Sequence, residues 1–211
     1  MSSWLSSARI YADKRILIIL LLGFSSGLPL LLVFSTLSIW LKFEEVSLTA
    51  IGLFSLVRTP YTFKFLWAPI IDKLELPILT KWLGRRRGWA LVTQLALMAS
   101  IFGLAVTNPA ENPWITAIFA LFVAFSSASQ DIVIDAYRVE ILADDEQGAG
   151  AGAIVLGYRM GMLSAGAGAL WLASALSWQQ VYLVMGGLVL IGIVAVFIAN
   201  EPEIKTIQQD K

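Results

Sequence analysis

Ser126–Glu140 reads SSASQDIVIDAYRVE and continues the apolar run Thr116–Phe125 with no Gly or Pro to end it. A helix carried through both stacks Ser127, Asp131, Asp135 and Arg138 at spacings of four, four and three residues, so they share one face. Such a face cannot be turned to lipid, where polar and charged groups are costly. The stretch reads as the polar end of a helix that otherwise lies in hydrocarbon, and the surrounding chain as an all-α membrane protein.

Composition supports that class. The 211 residues are 58% hydrophobic and only 14% charged, with eight Trp, whereas soluble domains carry about a quarter charged residues. A formal net charge of zero argues against a nucleic-acid partner, which needs a basic face. The chain has no Cys and no His, which removes disulfides, thiolate nucleophiles, imidazole bases and the usual zinc ligands. Two carboxylates one helical turn apart, Asp131 and Asp135, give little machinery for an enzyme, and no metal or cofactor is expected.

Six apolar segments are expected, at about 16–41, 48–71, 89–106, 114–136, 148–173 and 181–199, behind a lead at 1–15 and ahead of a tail at 200–211. The first begins after Arg9, Lys14 and Arg15 like a signal peptide, but it is too long and lacks a small-residue cleavage site. Gly23 and Gly27 in that segment, and Gly157 and Gly161 in the fifth, have the spacing that lets helix backbones approach closely. The fifth segment is not a phosphate loop, because no strand precedes its glycines and no Lys-Ser or Lys-Thr follows them. Lys and Arg gather in the lead, in the loop 72–88 with its Arg85–Arg86–Arg87 run, and in the tail, while the opposite loops offer only Lys42. The positive-inside rule therefore predicts six crossings with both termini cytoplasmic.

Charge within the segments is confined to the second, fourth and fifth. At about 1.5 Å per residue, Arg58 lies roughly 15 Å from Leu48 and Arg159 roughly 16 Å from Gly148, both near the midplane of a layer about 30 Å thick. A midplane cation costs roughly 2.5–3.5 kcal/mol on insertion scales, so each needs a partner or a watery cavity. Lys64 lies closer to an interface and can snorkel. Asp131 lies roughly 26 Å from Trp114, too far along to pair with either arginine. It is expected, with Asp135, Arg138, Lys64, Asp72 and Arg85–Arg87, in a charge cluster that closes the cytoplasmic end. Interfacial pairing of Asp135 with Arg138 is the simplest structural account of those two residues.

Five blocks carry a family resemblance: GFSSGLPLLL at Gly23–Leu32, FKFLWAPIIDK at Phe63–Lys73, LGRRRGW at Leu83–Trp89, SASQDIVIDAYR at Ser127–Arg138 and GAGAGAIVLGYRMGML at Gly148–Leu163. In order and across nearly the whole chain they resemble the AmpG-type muropeptide permeases of the major facilitator superfamily, which are related to the acetyl-CoA transporters. Asp72 and Gly84–Arg87 also resemble that superfamily's loop between helices two and three, although an insertion separates the Asp from the arginines.

The resemblance implies one six-helix half with a 3+3 inverted repeat, located in the bacterial inner membrane. It implies import of N-acetylglucosaminyl-anhydromuramyl peptides driven by the proton gradient, with acetyl-CoA or another bulky anion as the alternative cargo. Arg58 and Arg159 would then meet ligand carboxylates, while Gln130, Ser126, Ser127 and Tyr158 would meet sugar and peptide groups. Asp131, Asp135, Arg138, Lys64, Asp72, Arg85, Arg86 and Arg87 would serve gating or proton coupling. The family has two such halves. The chain reads as the N-terminal one, its tail resembling the start of the linker, and its expected partners are the lipid bilayer and a second six-helix half or a second copy. A non-transporting remnant is the other reading.

Overall fold

The structure is a computed structural model that describes residues 11–202; the ends of the expected lead and tail, 1–10 and 203–211, lie outside the described residues. All regular structure among the described residues is helical. Five helices are long and apolar enough to cross a membrane: α1 (Lys14–Phe43), α3 (Arg85–Ala105), α4 (Pro113–Ile141), α5 (Asp144–Ala173) and α6 (Trp178–Ile198). The stretch 48–73, labelled collectively α2, is not the continuous helix expected. It runs as short α-helical pieces separated by 3₁₀ turns at Phe54–Arg58 and Lys64–Leu66.

Proline chemistry explains the break in α2. Pro60 and Pro69 supply no N–H to the carbonyls one turn earlier, and the Leu56 carbonyl is met instead by the Thr59 amide, in a 3₁₀ bond, and by the Thr59 hydroxyl at 2.6 Å. The 3₁₀ turns rise about 2.0 Å per residue rather than 1.5 Å, so depth along α2 runs ahead of the simple helical count. Trp67 fixes the far part of α2 to α4, its indole N–H donating to Ser129 Oγ at 3.0 Å and its ring lying 4.8 Å from Phe125.

The other boundaries follow from local caps. Asp13 caps α1 by accepting from the Arg15 amide at 2.7 Å. Asn112 caps α4 by accepting from the Ile115 amide, with Pro113 at the first helical position. Ser177 and Gln180 form a reciprocal capping box on α6. The start of α3 differs from expectation: the arginine run forms its first turn and is not loop. Gly84 allows this by adopting φ 91°, a conformation that costs a side-chain-bearing residue.

The most extensive helix pair is α1 with α5, and its glycines interlock. A Cβ on Gly23 would sit 2.5 Å from the Ile154 carbonyl oxygen, and one on Gly27, Gly157 or Gly161 would overlap the Tyr158, Leu20 or Phe24 carbonyl. The two backbones thus touch over two turns of each helix, as small residues at four-residue spacing allow. Farther along the pair, each helix loosens into a π turn, Leu32–Thr36 in α1 and Ser164–Gly168 in α5. The buried Tyr182 hydroxyl donates to the Leu32 carbonyl at 2.8 Å and the Thr36 hydroxyl to the Ala165 carbonyl at 2.7 Å, so each π turn offers a carbonyl to a side-chain hydroxyl.

Packing divides into two apolar cores. One, at the Lys42 end, is built on Trp40, Leu97, Ile101, Val123 and Tyr182; the other, at the Arg86 end, on Ile16, Ile19, Val133, Tyr137 and Val196. A buried polar belt lies between them: Ser25, Gln94, Ser126, Ser127 and Gln130. Ser25 Oγ lies 3.4 Å from Gln94 Oε1, and a Cβ at Gly192 would collide with the Gln94 amide.

Gly27→Ala and Gly157→Ala should each lower the stability of the detergent-purified chain by about 1–3 kcal/mol, the usual cost of overpacking. Gly52→Ala, where a Cβ meets nothing within 4 Å, should leave it unchanged or slightly higher. Thermal unfolding followed by circular dichroism measures the contrast.

Candidate functional site

Asp131 projects from α4 toward α1, where the Ser26 hydroxyl donates to its Oδ1. The glycines on either side of Ser26 explain the reach. With no side chains at Gly23 and Gly27, α1 is drawn onto α5 and Ser26 is left as the hydroxyl beside the seam. Asp131 and Ser26 open onto a cavity of about 180 Å³ that is also lined by Ile134, Asp135, Ile154, Val155 and Tyr158. The walls thus come from α1, α4 and α5. A larger groove of about 410 Å³ lies between α2 and the start of α4, but its lining, including Leu53, Phe54, Pro113 and Trp114, carries no charged side chain. The smaller cavity is where the chemistry can lie.

The residues singled out in the sequence divide into three places. Asp131, Asp135 and Tyr158 share the cavity. Ser126, Ser127 and Gln130 are buried in the belt beside it rather than on its wall. Among the described residues, both ends of the Gln130 amide and the Ser127 hydroxyl find no hydrogen-bond partner, and each unsatisfied buried group costs about 1–3 kcal/mol. Arg58 and Arg159 are exposed, and Lys64 is half-buried. None of the three is within ion-pair distance of a carboxylate among the described residues. The Arg58 guanidinium carbon lies 4.4 Å from the centroid of the Phe34 ring.

The expected charge cluster is rearranged. The arginine run does gather carboxylates, but they are Asp72, Glu140 and Glu201. Arg86, buried itself, donates from Nη1 to Asp72 at 2.7 Å and from Nε and Nη2 to both oxygens of Glu140. The Glu201 carboxylate accepts the backbone amides of Arg86 at 2.8 Å and Arg87 at 3.0 Å, so it caps α3 from beyond the end of α6. The Arg87 side chain reaches the Val196 and Phe197 carbonyls of α6. Three arginines at a helix N-terminus oppose the helix dipole, and these carboxylates offset them. The staple therefore ties α2, α3, α4 and the chain after α6 at one end.

Asp131, Asp135, Arg138 and Lys64 make no ion pair with that staple, and Asp135 makes none with Arg138. The geometry explains it: Asp135 turns into the cavity, while Arg138 turns toward the start of α5, its Nη1 3.5 Å from Gln147 Oε1. Arg85 has no carboxylate partner among the described residues. Three contact positions escaped the sequence reading. Ser26 was visible only as a small residue, and Glu140 and Glu201 stand alone in sequence, with no spacing that links them to Arg86. A further pair, Arg15 with Glu146 Oε1 at 2.6 Å, joins the starts of α1 and α5.

Arg86→Ala should destabilise the chain by about 1–3 kcal/mol, less than the 3–5 kcal/mol of a fully buried broken pair, because Asp72 and Glu140 keep side-chain exposures of 44% and 35%. Arg85→Ala should stay within about 0.5 kcal/mol. Equilibrium unfolding in denaturant, with α-helical signal as readout, compares them.

Comparison with known proteins places these features. A family model described as acetyl-coenzyme A transporter 1 matches residues 15–112. The anhydromuropeptide permease of Escherichia coli (strain K12) is 46% identical over 195 residues, which cover 92% of this chain and 39% of that protein. The putative transporter AmpG 1 of Rickettsia conorii is 36% identical over 186 residues, 88% of this chain and 45% of that one. The putative transporter AmpG 4 of Rickettsia felis is 32% identical over 200 residues, 93% and 48% of the two. The chain thus spans less than half the length of these relatives. It is similar to these AmpG-type permeases and transporters over 186 to 200 residues.

Proposed function

We propose that the chain is half of a proton-driven permease that imports anhydromuropeptides across the bacterial inner membrane, with both termini in the cytoplasm. The observation that carries the reading is the 46% identity to an anhydromuropeptide permease over 92% of the chain. The open side of the molecule agrees with it. Helix α5 is the least buried of the five, 28% against 50–67% for the others, and it carries Arg159 on an exposed position. Bare cations at such depth suit a water-filled path and an anionic cargo.

In this reading Arg58 and Arg159 bind ligand carboxylates through charge-assisted hydrogen bonds. Tyr158 adds a hydroxyl at the cavity wall. Gln130 and Ser127 gain partners when α4 shifts during alternating access, which relieves the cost of their unpaired polar atoms, and Ser126 beside them meets sugar or peptide groups. Asp131 takes and releases the coupled proton, and Asp135 and Lys64 share its electrostatic surroundings. The Asp72–Arg86–Glu140 staple, with Arg85, Arg87 and Arg138 around it, works as the cytoplasmic gate. Six crossings in a 3+3 repeat, with α2 as the broken one, face a second six-helix half or a second copy across the ligand. The function requires no cofactor and no catalytic residue.

The match of residues 15–112 to the acetyl-coenzyme A transporter model supports acetyl-CoA as the second candidate cargo. Equilibrium binding of labelled anhydromuropeptide and acetyl-CoA to the chain, in parallel with its co-expressed complementary half, separates them. The reading predicts muropeptide binding that Arg58→Ala and Arg159→Ala each weaken by at least about 10-fold, the cost of roughly 1.4 kcal/mol. Preference for acetyl-CoA, or binding indifferent to both substitutions, contradicts it. Asp131→Asn should leave muropeptide binding within a few-fold and abolish the pH dependence of uptake. The orientation has its own test, because the chain has no Cys: a membrane-impermeant thiol reagent added to whole spheroplasts should modify Lys42→Cys but not Lys81→Cys. The reverse pattern overturns it.

A further inference from the structure

Arg58 ends the 3₁₀ turn Phe54–Arg58, just before Pro60, and it is exposed. A long side chain on a broken segment, with no carboxylate among the described residues to hold it, would ordinarily sweep through many rotamers. Here its guanidinium carbon is 4.4 Å from the centre of the Phe34 ring, within the range at which the negative face of an aromatic ring attracts a cation. Phe34 is itself fixed. It sits in the π turn Leu32–Thr36, whose two ends are held by the Tyr182 and Thr36 hydrogen bonds to Leu32 and Ala165. The Tyr61 ring packs beside it at 5.8 Å, inclined by 59°. A π turn inserts a residue into the helical register and redirects the side chains it carries, which is why such turns recur at functional sites.

We propose that Phe34 is a positioning residue: through its ring it holds the Arg58 guanidinium in place before the ligand arrives, leaving the guanidinium N–H groups for a carboxylate. The proposal rests on the reading of Arg58 as a carboxylate-binding residue. It makes the π turn of α1 part of the binding machinery, because an unbroken helix would aim position 34 elsewhere. It also makes the aromatic ring, rather than bulk alone, the requirement at this position. An aliphatic side chain fills the space without the ring's electrostatic face, whereas Trp and Tyr keep it.

The test is a double-mutant cycle on the full chain in lipid nanodiscs, reading the Kd for a radiolabelled N-acetylglucosaminyl-anhydromuramyl tripeptide. Phe34→Leu should weaken binding about 5- to 10-fold and Phe34→Trp should stay within about 2-fold of wild type. In an Arg58→Ala background, Phe34→Leu should have no further effect, since it acts through the missing group. An undiminished loss in that background, or no loss in the Phe34→Leu single variant while Arg58→Ala weakens binding, overturns the positioning role alone. Binding unchanged in Arg58→Ala removes the reading of Arg58 and the proposal with it. A second readout needs no ligand: ¹⁵N-arginine NMR of the same samples should show slowed guanidinium rotation for Arg58 that Phe34→Leu releases. A freely rotating Arg58 in the wild-type chain overturns the proposal whatever the binding data show.

Discussion

The rest of the structure depends on the direct backbone contact of α1 with α5 through Gly23, Gly27, Gly157 and Gly161. In a membrane, apolar side chains gain little by leaving lipid for protein, so helix association rests on close van der Waals contact and hydrogen bonds. Four absent side chains let two backbones meet. That contact sets everything on the two helices beside it: Ser26 lies between two of the glycines and Tyr158 follows a third. Both thereby reach the one cavity that also receives Asp131 from α4. The cavity is a consequence of the glycine seam, because α1 and α5 held apart by Cβ atoms would no longer converge on Asp131.

Charge is distributed around this seam with a consistent logic. At one end, Arg86 and Arg87 are enclosed by Asp72, Glu140, Glu201 and backbone carbonyls, so cations that would oppose the α3 dipole become a clasp across four parts of the chain. Away from that end, Arg58, Lys64 and Arg159 have no such partners among the described residues. Under the proposed function, this contrast separates Arg86 and Arg87, which serve the fold, from the cations left to face a ligand. Helices α3 and α6, free of charge between the clasp and their far ends, form the complementary apolar side.

Much of this was legible in the sequence, and the exceptions share a cause. The four glycines announced close helix approach by their spacing, though not that α1 and α5 are each other's partners, and SASQDIVIDAYR announced both the polar face and the likeness to AmpG-type transporters. Depth counting separated Asp131 from the two arginines. It also assigned Asp131 to the charged end of the molecule, and there counting along one helix could not see Ser26 arriving from another. The break in α2 was foreshadowed by Pro60 and Pro69, yet only the 3₁₀ turns reveal how it swings Arg58 toward Phe34. The π turns have no sequence signature, since they are stabilised by hydroxyls from Tyr182 and Thr36 that lie far away along the chain. Glu140 and Glu201 were overlooked for the same reason: a lone carboxylate acquires meaning only when the fold sets it beside Arg86.

The central claim, that the side of the molecule holding the cavity faces water while the opposite side faces lipid, is open to one direct measurement. Val155 lines the cavity and Val194 lies on α6, and the two are equally exposed in the structure, at 50% and 51%. Each is replaced singly by Cys in the otherwise Cys-free chain, reconstituted in lipid, and its rate of modification by a small water-soluble thiol reagent is recorded. Rapid modification of Val155→Cys with protection of Val194→Cys is the predicted result. Equal rates, or faster modification at position 194, would contradict it.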